Sequence, residues 1–183
     1  MIDQELLIVC RLFNLILTPN NEVSLKLQSM YPSIPWYVSY HNYDNRFKNR
    51  ILGENLMSPR FSMSGHLNSF EKTIVKMIPE IRYIGVKPNI NEIKKYNVAL
   101  CFRDTTLSLC KPSTKVSAAS VFNTIFAGTN SYAFEDLLSK DYPYFIPMEE
   151  ITVEKVLNLL AYVKNTYGTN VWENAKKKDE NCL

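Results

Sequence analysis

The chain has 183 residues, room for one domain of about 150 residues and a small appendage. Apolar residues make up 46% and charged residues 21%, which excludes a disordered chain, a collagen and a heptad rod. A net charge of +3 is too weak to argue for nucleic acid unless the charges cluster, and no nucleic-acid partner is expected.

The start, Met1-Ile2-Asp3-Gln4-Glu5, is acidic, whereas a secretory signal begins basic. Leu6 to Cys10 reads as one strand and stops at Arg11. A second apolar run, Leu12 to Leu17, contains Asn14. With a charge in the middle, the two runs together are poorly suited to cross ~30 Å of hydrocarbon. The expectation is no integral membrane segment and a cytoplasmic location. Pro32, Pro35, Trp36 and Tyr37 read as a connecting segment with aromatic packing. Residues 1–57 are thus an N-terminal strand and linker.

Residues 58–167 alternate short apolar runs with helical periods. Arg60 to Ser64 is a strand closed by Gly65. Asn68 or Ser69 caps a helix with Glu71 in its first turn, where a carboxylate suits the dipole. Phe70, Ile74, Met77 and Ile78 form its buried face, and Pro79 marks the exit. Ile81 to Val86 is the next strand, Asn89 to Tyr96 a short helix. Val98 to Phe102 is a continuous apolar run, as in a strand buried on both faces. Pro112 opens a helix over Pro112–Ala127, with Ala118, Phe122, Ile125 and Phe126 as its face and Gly128 past its end. Thr129 to Phe134 reads as a strand, Glu135 to Ser139 as a helical turn, and Tyr144 to Ile146 as the last strand. Thr152 caps a helix faced by Val153, Val156, Leu157, Leu160 and Val163 and ended by Gly168. Residues 168–183 are an amphipathic tail carrying Trp172 and Ala175, with Lys176 to Lys178 as a solvated, frayed end. Alternating strands and helices predict an α/β fold: a Rossmann-like, open, mainly parallel sheet of about five strands with helices on both faces.

The cysteines at 10, 101, 110 and 182 show no C-x-x-C spacing and read as reduced thiols, with Cys101 buried in its strand. His41 and His66 lie far apart without H-E-x-x-H, so no metal and no cofactor is expected. Open parallel sheets bind ligands beyond the carboxyl ends of their strands, and three polar groupings fall there. Gly65 with His66 either lets backbone approach a ligand or simply makes a tight turn. Arg103 either reaches a phosphate or pairs with Asp104 or another carboxylate. Lys111-Pro112-Ser113-Thr114-Lys115 puts two lysines and two hydroxyls at one helix N-terminus. That is either an anion site or a solvated cap, and the helix dipole favours an anion over a cation there.

Lys111-Pro112-Ser113-Thr114-Lys115, then Phe126-Ala127-Gly128, then Ala133-Phe134-Glu135-Asp136-Leu137 resemble the C-terminal half of GT-B-type glycosyltransferases. In that group K-P-[AS]-T-K leads a helix ending in A-G, and a segment like A-Y-R-E-L follows. Arg60 to His66 resembles the first strand and glycine loop of that half, and Val98 to Asp104 its strand ending in arginine. The resemblance covers about residues 58–167. It implies a nucleotide-sugar donor whose diphosphate contacts Gly65, Arg103, Lys111, Ser113, Thr114 and Lys115, with His66 and Asp136 as sugar contacts. It names neither an acceptor nor a catalytic base. GT-B enzymes carry two Rossmann-like domains and this sequence holds one. The resemblance therefore implies either a partner domain that completes the enzyme, or a non-catalytic interaction protein that assembles through the exposed half, with itself as a homo-oligomer or with a partner.

Overall fold

The computed structural model describes residues 15–39, 56–103 and 113–180. The N-terminal part is a small βαβ unit: Ile16–Thr18 (β1), Asn21–Met30 (α1) and Trp36–Val38 (β2). β1 and β2 pair in parallel, with Leu17 opposite Tyr37. Asn20 caps α1 by accepting from the Val23 N–H at 2.9 Å. Trp36 and Tyr37 thus belong to a strand, not to the connecting segment expected. Pro35 disfavours helix in the residue before it, and Trp-Tyr-Val is strand-forming once it has a neighbour to pair with. Trp36 is buried against Leu27, and its indole N–H donates to the Tyr31 carbonyl at 3.2 Å. The strand expected over Leu6 to Cys10 lies outside the described residues.

The main body runs Phe61–Met63 (β3), Ser69–Met77 (α2), Ile81–Tyr83 (β4), Ile90–Ile93 (α3) and Val98–Cys101 (β5). It continues with Thr114–Val121 (α4), Ile125–Thr129 (β6), Tyr132–Leu138 (α5), Phe145–Ile146 (β7), Val153–Thr166 (α6) and Asn170–Glu180 (α7). The strands form one five-stranded sheet, order β4-β3-β5-β6-β7, parallel throughout. This is the expected Rossmann-like α/β architecture. Every residue of β3 and β6 is buried. Successive side chains point to opposite faces, so helices cover both faces of these strands. Phe61, Met63, Val98, Leu100, Phe126 and Ile146 belong to one core with Ile74, Val156, Leu160 and Val163 from the helices. The order reverses between β3 and β5, which opens a crevice at their carboxyl ends.

The helix starts follow their sequence signals. Asn68 and Glu71 form a reciprocal capping box on α2. Asn89 caps α3 and Thr152 caps α6 through side-chain oxygens. Two assignments change. The helix expected over Pro112–Ala127 spans only Thr114–Val121, and Ile125–Thr129 is a strand. The segment expected as a strand over Thr129 to Phe134 instead leads into helix α5. Asn123, at φ 55°, reverses the chain after α4. A strand buried on both faces has no alternation of its own, so its apolar residues matched a helical period by coincidence.

The tail is part of the body. Trp172 and Ala175 of α7 join the main core, and Trp172 meets Tyr167 edge to face at 4.5 Å. Asp179 is buried and accepts from the Tyr142 hydroxyl at 2.8 Å and from the Phe126 N–H at 3.3 Å. The helix continues through Lys176, Lys177 and Lys178 in place of the expected frayed end. Docking of Trp172 and Asp179 holds it, and Lys178 pairs with Asp141 at 3.0 Å.

Cys101 is buried, carries a free thiol, and lies in the middle strand β5. Burial pushes its thiol above the ordinary value, with the nearby Glu71 carboxylate adding to the effect. Native Cys101 should therefore react with a disulfide reagent at least about a hundredfold more slowly than in the urea-unfolded chain. Peptide mass spectrometry of timed samples measures this. Equal rates would mean that β5 opens readily.

Candidate functional site

At the carboxyl ends of β3 and β5 lies a cleft of about 370 Å³. The turn after β3 contributes Ser64 and His66 to it, and the first turn of α2 contributes Asn68 and Glu71. The end of β5 contributes Phe102 and Arg103, and the start of α4 contributes Thr114 and Lys115. Three segments far apart in sequence meet because their strands are neighbours in the sheet.

Hydrogen bonds hold this mouth in shape. Each oxygen of the buried Glu71 carboxylate accepts one backbone N–H: Oε2 from Asn68 at 3.0 Å, Oε1 from Phe102 at 2.9 Å. The Asn68 amide donates to the Phe102 carbonyl at 2.7 Å. One capping box therefore fixes both a helix start and the end of β5. Thr129, at the end of β6, does the same for the next residue. Its hydroxyl accepts from the Arg103 N–H at 2.7 Å and donates to the Arg103 carbonyl at 3.3 Å.

The two cations of the cleft are held differently. Arg103 is buried, with its guanidinium over the Phe134 ring at 4.0 Å and Nη1 3.4 Å from the Ser131 hydroxyl. Burial lowers its pKa from the ordinary value, and the adjacent Cys101 and Glu71 oppose that shift. Lys115 reaches across the cleft from α4, and its ammonium donates to the Ser64 carbonyl and, at 3.2 Å, to the Ser64 hydroxyl. Gly65 makes room for it. Its φ is +88°, and a Cβ there would lie 2.7 Å from Lys115 Nζ. Glu71 keeps its charge, and two cations, Arg103 and Lys115, against that one carboxylate leave the lining of the cleft net positive.

Arg103, Thr114, Lys115 and His66 line this cleft. Gly65 shapes it without offering its backbone. Its N–H donates to the Gly85 carbonyl at 2.9 Å, and its carbonyl accepts from the Tyr83 hydroxyl at 3.0 Å. Ser113 is fully buried beneath the start of α4, and its hydroxyl has no hydrogen-bond partner among the described residues. Lys111 lies outside the described residues. Asp136 is not in the cleft wall. It is exposed on α5 and accepts from the Asn21 N–H at 2.9 Å, joining α5 to the start of α1. Among the described residues no three His, Cys, Asp or Glu side chains gather as a metal site. No helix there is long and apolar enough to cross a membrane.

Reading the chain as separate segments misses the roles of Glu71 and Thr129. The Asn68-x-x-Glu71 spacing announces a capping box, but nothing local says that the same carboxylate also holds Phe102. No protein-family model matches the chain, and no curated protein sequence matches it.

Proposed function

We propose that the chain is a glycosyltransferase-like domain that binds the diphosphate of a nucleotide-sugar donor in the β3–β5 cleft. The observation that carries this reading is the convergence of Lys115, Arg103 and the first turn of α4 at the sheet's switch point. Cations and free helix N–H groups around one cavity favour a multiply charged anion. Any sugar transfer requires an acceptor-bearing partner or second domain. In that reaction Lys115 and Arg103 stabilise the charge that develops on the leaving diphosphate.

Lys115→Ala should weaken nucleoside diphosphate binding by about tenfold or more, because a hydrogen bond to an ionised group is worth ~1.5–3 kcal/mol and ~1.4 kcal/mol is tenfold. Calorimetric titration of wild type and variant with uridine and guanosine diphosphates measures this. If neither protein binds at millimolar nucleotide, the reading fails.

One observation favours a second reading, a non-catalytic interaction or assembly protein that keeps this half-fold. Leu17 and Tyr37, opposite each other in β1 and β2, stand 62% and 61% exposed. Parallel strands normally have both faces covered. Light scattering on a Leu17→Ser/Tyr37→Ser variant decides this: a self-associating wild type loses its higher mass, and a monomeric wild type removes self-assembly as the role.

A further inference from the structure

A second groove, of about 400 Å³, lies between α2 and β4 and shares His66 and Leu67 with the cleft. Its floor is apolar: Leu67, Val75 and the Tyr83 ring, all half-buried. The Tyr83 hydroxyl donates to the Gly65 carbonyl at 3.0 Å, which fixes the ring in place. Lys72 and Lys76 stand on its rim, one helical turn apart on α2, both exposed. Among the described residues no carboxylate lines the groove and neither lysine makes an ion pair. Two unpaired ammonium groups over an apolar floor complement a molecule with an anionic head and an apolar body.

We propose that this groove binds a small organic anion of that kind, such as an alkyl phosphate. Its shared wall with the cleft, at His66, gives that anion the role of an additional ligand beside the donor, distinct from the acceptor that a partner or second domain carries. That role rests on the glycosyltransferase-like reading; the binding itself does not. Lys72 and Lys76 would hold the head, and Leu67, Val75 and Tyr83 would cover the chain.

The test is a nitrogen-15 NMR titration of the full chain with hexyl phosphate, inorganic phosphate and hexanol. Hexyl phosphate should shift the amide signals of Leu67, Lys72, Val75, Lys76 and Tyr83, and bind at least about fivefold more tightly than either other probe. Lys72→Gln/Lys76→Gln should weaken hexyl phosphate by about fivefold and leave the fold intact, since both side chains are exposed. Shifts scattered over the surface, or an unchanged affinity in the double variant, would overturn the proposal. Inorganic phosphate binding as tightly as hexyl phosphate would overturn the apolar half of it, and hexanol binding as tightly would overturn the anionic half. Failure of nucleoside diphosphates to bind wild type counts against the donor cleft alone.

Discussion

Gly128→Ala should destabilise the protein by about 3 kcal/mol or more, a fall in melting temperature of roughly 10 °C. A Cβ at this position would sit 1.9 Å from the Cys101 carbonyl oxygen and 2.9 Å from its carbon. Both atoms are backbone of the neighbouring strand, so no side-chain rotation relieves the contact. Gly128 faces Cys101 on one side and Phe145 on the other, and its N–H donates to the Tyr144 carbonyl at 3.0 Å. Strand β6 is therefore held from both edges and cannot move away from β5 without loosening β7. Thermal and urea unfolding followed by circular dichroism measure the loss. A variant within about 1 kcal/mol of wild type would show that β5 and β6 part easily at this point.

Glu71→Ala should cost about 2–4 kcal/mol. The variant loses the reciprocal half of the α2 capping box. It also strands the N–H of Phe102, a residue with no exposed surface. An unsatisfied buried donor costs ~1–3 kcal/mol, and a lost cap ~1 kcal/mol. Glu71→Gln should recover less than half of this. Its amide has one acceptor oxygen, whereas the two carboxylate oxygens serve two N–H groups on different elements. The effect should reach the cleft as well, because Arg103 directly follows Phe102. Urea unfolding of the two variants checks the ranking. Glu71→Gln as stable as wild type would mean that one of the two bonds contributes nothing.

Where the chain carries a local signal, the sequence and the structure agree. Asn68 with Glu71, Asn89 and Thr152 each start a helix, because a side-chain oxygen close in sequence satisfies the first free N–H groups. Val98 to Phe102 reads as a strand buried on both faces because a continuous apolar run suits no half-exposed surface, and the structure has a strand over Val98–Cys101, buried except for a half-buried Ala99. The spacing of Lys111 and Lys115 pointed to the start of α4. There the structure places Lys115 in the cleft wall and Ser113 in the interior.

The local signal failed between Phe122 and Phe134. Gly128 looks like a helix stop, yet it sits inside β6. What it meets is the Cys101 backbone, and that contact exists only after β5 and β6 pair. Trp36 is likewise a strand residue only because Ile16 lies beside it.

Composition, caps and apolar runs by themselves determined an alternating α/β chain and the cations and helix start that could face an anion. These are properties of a residue and its near neighbours in sequence. Tertiary structure alone decided the strand order, and with it the meeting of Ser64, Arg103 and Lys115 in one cleft. It also decided the engagement of Asp136 with α1 and the double use of Glu71. Each of these depends on which strands become neighbours, and that is settled by the packing of the whole sheet and its helices, which no local segment encodes.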